Sequence, residues 1–293
     1  MGFRRVQPLK NMFAYNAIAF CLLMTTVQAE DLKDVEYGRA GNLSLRLDAH
    51  IPEGKGPFPA VIMVHGGGWV RGDRTSVEPL FQPLDKAGFA WFSVSYRLAA
   101  DIFRDPKAAM TQLGAAEGDI RRAVSFVKEH AAEYRVNPAK IALIGESAGG
   151  QLAAMAALRP DQDGAVQGVV AFYSPTDLAT LARTSSWIPE SVRDAMKGTF
   201  FDTILMAGLT KFSPISWVNA DSPPFLMIHG TDDNLVPIAQ SERFCEKLGE
   251  ANVPCELYPV KAAGHGMRSW ESSRIYGYKA PMIKWLQQAI GRP

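Results

Sequence analysis

Six short apolar runs recur along the chain, at 60–64, 89–94, 141–144, 169–173, 225–228 and 255–260, interrupted only by Ser93 and Glu256, and most are separated by stretches with helical periodicity. A strand that is apolar at every position has no face to offer water, so it must be covered on both sides. Strands of this kind alternating with helices build a mostly parallel sheet with the helices as its two outer layers. The helical stretches include 115–134, where Ile120, Val124 and Val127 share one face, 238–248 behind Pro237, and 280–290 at the end. Ahead of them Leu43, Leu45 and Leu47 alternate with Ser44, Arg46 and Asp48 behind a Gly41-Asn42 turn, the pattern of an antiparallel hairpin with one wet face. No composition break divides residues 30–293, which read as a single α/β domain. The stretch 175–218, where Trp187, Phe200, Phe201, Phe212 and Trp217 cluster without clean periodicity, is expected as a cap or a surface insertion.

The amino terminus differs from the rest. Arg4, Arg5 and Lys10 precede an apolar run over 12–27, and Val27-Gln28-Ala29 has the small-residue pattern of a signal-peptide cleavage site. The run is interrupted by Asn16 and is short for a membrane span, so residues 1–29 are expected to be removed on export to a secreted or periplasmic location. Cleavage would take away three basic residues and no acidic one, leaving 28 Lys plus Arg against 30 Asp plus Glu. Nothing in that balance points to nucleic acid. Only Cys245 and Cys255 would remain, in a compartment where they can pair; their spacing leaves a disulfide and two buried thiols both open.

The segment carrying chemistry is Ile141-Ala-Leu-Ile-Gly-Glu-Ser-Ala-Gly-Gly150. A strand runs into Gly-x-Ser-x-Gly and then a helix. That geometry lifts the Ser147 hydroxyl out of the sheet at a strained turn, where glycines avoid clashes with neighbouring elements. A hydroxyl needs a base, and histidine suits neutral pH. Of the five histidines, His50 ends the hairpin, His130 lies on a helix, His65 heads a glycine run and His229 ends a buried strand. His265, on a loop just past the last strand, is the candidate. The carboxylate that would fix its tautomer is expected at another strand end, where 229–237 offers Asp232 and Asp233; Asp233 is preferred, with Asp232 as a turn residue. Directly after the strand 60–64, His65-Gly66-Gly67-Gly68-Trp69 exposes backbone N–H groups. With Ala148 after the nucleophile, Gly67 and Gly68 are the expected oxyanion donors. The loop lacks the Gly-Lys-Ser/Thr ending or G-x-G-x-x-G spacing of a phosphate cradle. Trp69 either lines an acyl pocket or packs beneath the loop.

These pieces, together with Ser95-Tyr96-Arg97-Leu98, His229-Gly230-Thr231-Asp232-Asp233 and Ala263-Gly264-His265-Gly266, resemble serine carboxylesterases of the α/β-hydrolase superfamily, in the branch of hormone-sensitive lipase and the small deacetylase and feruloyl esterases. The resemblance covers nearly the whole chain past residue 30. It implies that Asp233, followed by Asn234-Leu235-Val236-Pro237, is the acid. Glu146 and Asn234 stand where the lipase-like members have aspartate and proline, which favours the deacetylase and feruloyl-esterase side. The order Ser147, Asp233, His265 is that of an α/β-hydrolase. The expected activity is hydrolysis of short-chain acyl, acetyl or feruloyl esters, on a small molecule or linked to a polysaccharide, without metal or organic cofactor. Two rivals are a serine peptidase of the same fold and a binding protein that has lost its chemistry.

Overall fold

The computed structural model describes residues 1, 2, 27–99, 106–162, 164–184, 190, 191, 194 and 197–292. Most of the expected leader, residues 3–26, lies outside the described residues, as do Trp187 and the side chains of Phe200 and Phe201 in the expected cap. Eight strands form one sheet: β1 (Glu30–Ala40), β2 (Leu43–Ile51), β3 (Phe58–Val64), β4 (Ala90–Val94), β5 (Val136–Glu146), β6 (Gly168–Phe172), β7 (Phe225–Gly230) and β8 (Cys255–Val260). Their order is β1-β2-β4-β3-β5-β6-β7-β8. The hairpin β1–β2 pairs antiparallel to itself and to β4, and every later neighbour is parallel.

Each apolar run is a strand for the reason its composition implies: alternate residues enter different cores. On β3, Ala60, Ile62 and Val64 join Ile120, Val124 and Val127 of α2 (Pro106–Glu129) and Phe244 and Leu248 of α6 (Ala239–Glu250). Val61 and Met63 face the opposite core with Leu84 of α1 (Phe81–Ala87), Trp270 of α7 (Met267–Ser272) and Met282, Trp285 and Leu286 of α8 (Lys279–Ala289). Full burial stabilises side chains of this size by about 1.5–3 kcal/mol each, so a one-residue slip of a central strand would exchange the contents of both cores. α3 (Ala148–Leu158) follows β5 directly and is buried along its length. The hairpin's wet face is narrower than expected: Leu43 is exposed at the turn, whereas Asp48 is buried against Arg74 and Lys33.

The helix expected at 115–134 instead occupies 106–129. Its apolar rhythm continues past the end because Phe126 stacks on His130 and both rings lie tilted against Tyr134 through the following turn. Between β6 and β7, the stretch expected as a cap contains α4 (Leu178–Thr184), α5 (Phe200–Lys211) and a 3-10 turn, Pro214–Trp217. Both ends of this insertion are tied down. The Thr176 and Asp177 amides donate to Gln240 Oε1, and the Leu178 amide donates to Ser213 Oγ.

The register aligns the carboxyl ends of the parallel strands. Val64 stands beside Gly145, Glu146 beside Phe172, Phe172 beside Ile228, and Gly230 beside Val260. The loops after β3, β5, β6, β7 and β8 therefore leave the sheet at one rim, where ligands of such sheets bind.

Candidate active site

Ser147 sits between β5 and α3 at φ 50°, ψ −120°, a conformation a non-glycine residue adopts only when its surroundings impose it. Its N–H donates to the Phe172 carbonyl at 2.9 Å and its carbonyl accepts from the Gln151 amide at 3.1 Å. The sharp turn presses α3 against the β3 end: a Cβ on Gly149 would come within 2.2 Å of the His65 carbonyl oxygen. Glycine at 149 is thus a requirement of contact, as the sequence reading expected for the residues flanking the serine.

The loop after β8 brings His265 Nε2 to 2.9 Å from Ser147 Oγ, across 118 residues of sequence. His265 Nδ1 lies 2.7 Å from Asp233 Oδ2. Asp233 leaves β7 three residues past Gly230 and is buried; its Oδ1 accepts the Leu235 and Val236 amides, each at 2.9 Å. Burial works against its charge, but hydrogen bonds from His229 and His265, the pull of His265 and the Val236 amide outweigh it, holding the carboxyl well below the usual carboxylate range. An ionised carboxylate at Nδ1 keeps a proton there and leaves Nε2 free to accept from the hydroxyl. Asp232 stays outside, exposed, its carboxylate accepting from the Thr231 hydroxyl.

The glycine loop after β3 lies against the serine turn. A Cβ on Gly66 would sit 3.3 Å from that of Ser147, and the Gly66 amide donates to Glu146 Oε1 at 3.3 Å. Gly67 has φ +112°, and a side chain there would strike the Arg71 carbonyl at 2.0 Å, so only glycine fits this turn. The loop's backbone bonds use the Gly67 carbonyl as acceptor of the Val70 and Arg71 amides; among the described residues they do not use the Gly67 or Gly68 N–H. The Ala148 N–H belongs to the first turn of α3, where no intrahelical acceptor exists and the helix dipole favours negative charge. An anion developing at the serine would face this side of the rim. Trp69 packs its half-buried ring against the core and donates Nε1–H to Gln151 Oε1 at 2.9 Å. Gln151 Nε2 in turn donates to the Phe212 carbonyl. The indole therefore anchors the loop to α3.

Tyr173 and Gln151 join the site without having been singled out from the sequence, and Glu146, noted there only for its place before the serine, takes on bonds the sequence did not announce. The Tyr173 hydroxyl, completely buried just past β6, donates to Glu146 Oε2 at 2.6 Å and accepts the Met267 amide at 2.8 Å. Its ring meets His265 edge-on at 4.7 Å, and burial drives its pKa far above the ordinary tyrosine value, so it remains a donor. One phenol thus links the serine turn to the histidine loop. Glu146 joins that link to the glycine loop through Gly66. Gln151 fixes Trp69. A single sequence carries no local mark for any of these roles, each of which pairs residues far apart in the chain. The remaining histidines are structural partners: His50 binds Asp31, His65 its neighbour's carbonyl, His130 the Phe126 carbonyl, and His229 is buried beside Asp233. Cys245 and Cys255 are joined, with Cα atoms 5.2 Å apart, pinning α6 to the start of β8.

A family model described as BD-FAE matches residues 47–248. The chain is 31% identical over 243 residues to the probable carboxylic ester hydrolase LipM of Mycobacterium tuberculosis, covering 78% of this chain and 53% of LipM. It is 31% identical over 253 residues to esterase LipQ of the same organism, covering 81% and 57%. It spans little more than half the length of these curated relatives. Among solved structures it is similar to the native esterase Est2 of Thermogutta terrifontis, with a TM-score of 0.72, 23% identity, and coverage of 90% of this chain and 93% of that one. The propionate-bound form of Est2 gives a TM-score of 0.70 at 25% identity, over 90% and 94%.

Proposed function

The chain belongs to the BD-FAE family and has the α/β-hydrolase fold, and from that premise we propose that it hydrolyses carboxylic esters through a covalent acyl-enzyme on Ser147. The observation that carries this reading is the unbroken bond chain from Ser147 Oγ through His265 to Asp233, 2.9 and 2.7 Å long. His265 Nε2 takes the hydroxyl proton as Oγ adds to the ester carbonyl. The resulting oxyanion is met by the Gly67, Gly68 and Ala148 amides. Collapse expels the alcohol, which leaves with the proton from His265. Water then attacks the acyl carbon, its proton passing to His265, and a second collapse releases the acid and returns the proton to Ser147. Asp233 stays ionised throughout and stabilises the imidazolium.

Short acyl, acetyl or feruloyl esters are the proposed substrates. The names of LipM and LipQ, the propionate held by Est2, and Glu146 and Asn234 in this sequence support that class. Export with removal of residues 1–29 fits two features: β1 begins at Glu30, and Cys245 and Cys255 are bonded.

Paraoxon should add one diethylphosphoryl group to the protein by intact mass, and none to Ser147→Ala. Folded wild-type protein that gains no adduct would remove the nucleophile from the proposal. A panel of p-nitrophenyl esters of rising chain length, run beside acetylated xylan, methyl ferulate and an acyl anilide, then identifies the acyl and alcohol halves and separates esterase from amidase.

A further inference from the structure

The buried residues around Asp233 include a second imidazole. His229, at the end of β7, is 0% exposed, and both of its ring nitrogens are partnered. Nε2 lies 2.7 Å from the Val236 carbonyl oxygen and 3.5 Å from Asp233 Oδ2, the same oxygen that receives His265. Both of those neighbours are acceptors, so Nε2 must carry a proton. Nδ1 lies 2.7 Å from the Ser241 hydroxyl of α6, which donates to it. The ring's tautomer is therefore fixed by its surroundings.

Val236 makes the arrangement specific. Its N–H donates to Asp233 Oδ1 while its carbonyl accepts from His229. His229 thus holds the turn whose amides hold the carboxylate, and the positive end of its N–H dipole borders the second carboxylate oxygen. The groups facing the His265–Asp233 pair are then His229 from β7, the Leu235 and Val236 amides from the turn, Ser147 from the β5 end, and the Tyr173 ring with Glu146 behind it.

On the hydrolase reading given above, we infer that His229 is a positioning residue: it locks the Asp233 carboxylate in the orientation that His265 requires and withdraws part of its negative charge from His265. Without the Nε2–H, the Val236 turn that holds Oδ1 loses its tether and Oδ2 loses one of its two imidazole neighbours, so the carboxylate is held less firmly, which lowers turnover. The charge left on Oδ2 then falls to His265 alone, which stabilises the imidazolium and moves the acid limb of the rate profile to higher pH. Misplacing a reacting group by about 1 Å through a change elsewhere can cost up to about 100-fold in rate.

The test uses the full chain. Turnover of p-nitrophenyl acetate is followed from about pH 5 to 9 for wild type, His229→Leu, His229→Gln, Ser241→Ala and Ser147→Ala, with urea midpoints as the check on folding. His229→Leu is expected to lose about 10-fold in kcat with KM little changed, and its acid limb should rise by about half a pH unit. Glutamine, whose side-chain amide reaches the Nε2 position, should restore most of both effects. Ser241→Ala, which frees the ring at Nδ1, should show a smaller change of the same sign, and it stands in should the leucine variant fail to fold. A folded leucine variant with wild-type kcat and acid limb overturns the inference, as does a fall in kcat with an unmoved limb that glutamine leaves unrepaired, or, should the leucine variant not fold, an unaltered Ser241→Ala profile. Wild-type protein without turnover, or Ser147→Ala with it, overturns the hydrolase reading instead and the inference with it.

Discussion

Replacing Tyr173 with phenylalanine removes one oxygen and leaves the ring, so it isolates the link between the serine turn and the histidine loop. The hydroxyl makes two bonds, donating to a carboxylate at 2.6 Å and accepting a backbone amide at 2.8 Å. The ring contacts with Phe172, His265 and Trp270 survive the change. A hydrogen bond to a charged group contributes about 1.5–3 kcal/mol, and a buried donor left without a partner costs about 1–3 kcal/mol. Glu146 is only half-buried and regains some hydration, which places the expected loss toward the low end of the sum, about 2.5–4 kcal/mol. Urea denaturation at neutral pH reads this as a lower midpoint at unchanged slope. Met267 lies two residues beyond His265, so kcat/KM should fall as well, by about 10-fold or more if the imidazole drifts even slightly from Ser147. A variant within 1 kcal/mol of wild type, or one that is destabilised but keeps full kcat/KM, would refute the claim that this phenol sets the position of the histidine.

Three further outcomes follow from the same geometry. Asp233→Asn keeps the shape but turns a donor toward His265 Nδ1, forcing the proton to Nε2, where it faces Ser147; kcat for ester hydrolysis should drop by about 10³–10⁴ in protein with a native circular dichroism spectrum. Because the folded carboxyl of Asp233 titrates below its unfolded value of about 3.9, its share of stability is complete above that pH and is lost as pH falls from there through the folded value; urea midpoints should decline more steeply below about pH 4 in wild type than in the asparagine variant. Replacing Cys245 and Cys255 with serine opens a loop with a sequence separation of 10 and should cost about 3 kcal/mol in urea, while kcat at 25 °C holds, since Cys255 begins β8 at the edge away from the rim.

The central strands were legible because burial on both faces leaves a continuous apolar run, and the three residues of the serine-to-carboxylate chain were legible because each stands a few positions beyond such a run. Ser147 follows β5 by one residue, Asp233 follows β7 by three and His265 follows β8 by five, and a parallel sheet brings strand ends together whatever the distance in sequence. The boundary of α2 was misread because Phe126, His130 and Tyr134 keep helical spacing while the chain turns beneath them. Tyr173, Gln151 and His229 act through partners 27 to 94, 61 to 82, and 4 to 12 residues away, respectively. Periodicity and turn chemistry are silent about such pairs, and His229 in particular looked like the end of a buried strand, which it also is. The order of β3 and β4 in the sheet was similarly invisible, since both runs are almost wholly apolar and carry no mark of their neighbours.

The strain at Ser147 gives these scattered contacts a common purpose. A non-glycine residue at φ 50°, ψ −120° costs about 1–3 kcal/mol, and the hydroxyl is exposed to the rim only while that cost is carried. The bonds that carry it do not come from the serine's own turn alone: Phe172 at the β6 end takes its N–H, α3 returns an amide to its carbonyl, and the His65 backbone closes on Gly149. The same β6 end continues into Tyr173, which reaches the histidine loop, and the same glycine loop continues through Trp69 to Gln151 on α3. Support for the strained serine and placement of His265 are therefore functions of one connected set of contacts. A change that relaxes the backbone at 147 should move His265 as well, and one that frees the histidine loop should soften the turn that presents Ser147.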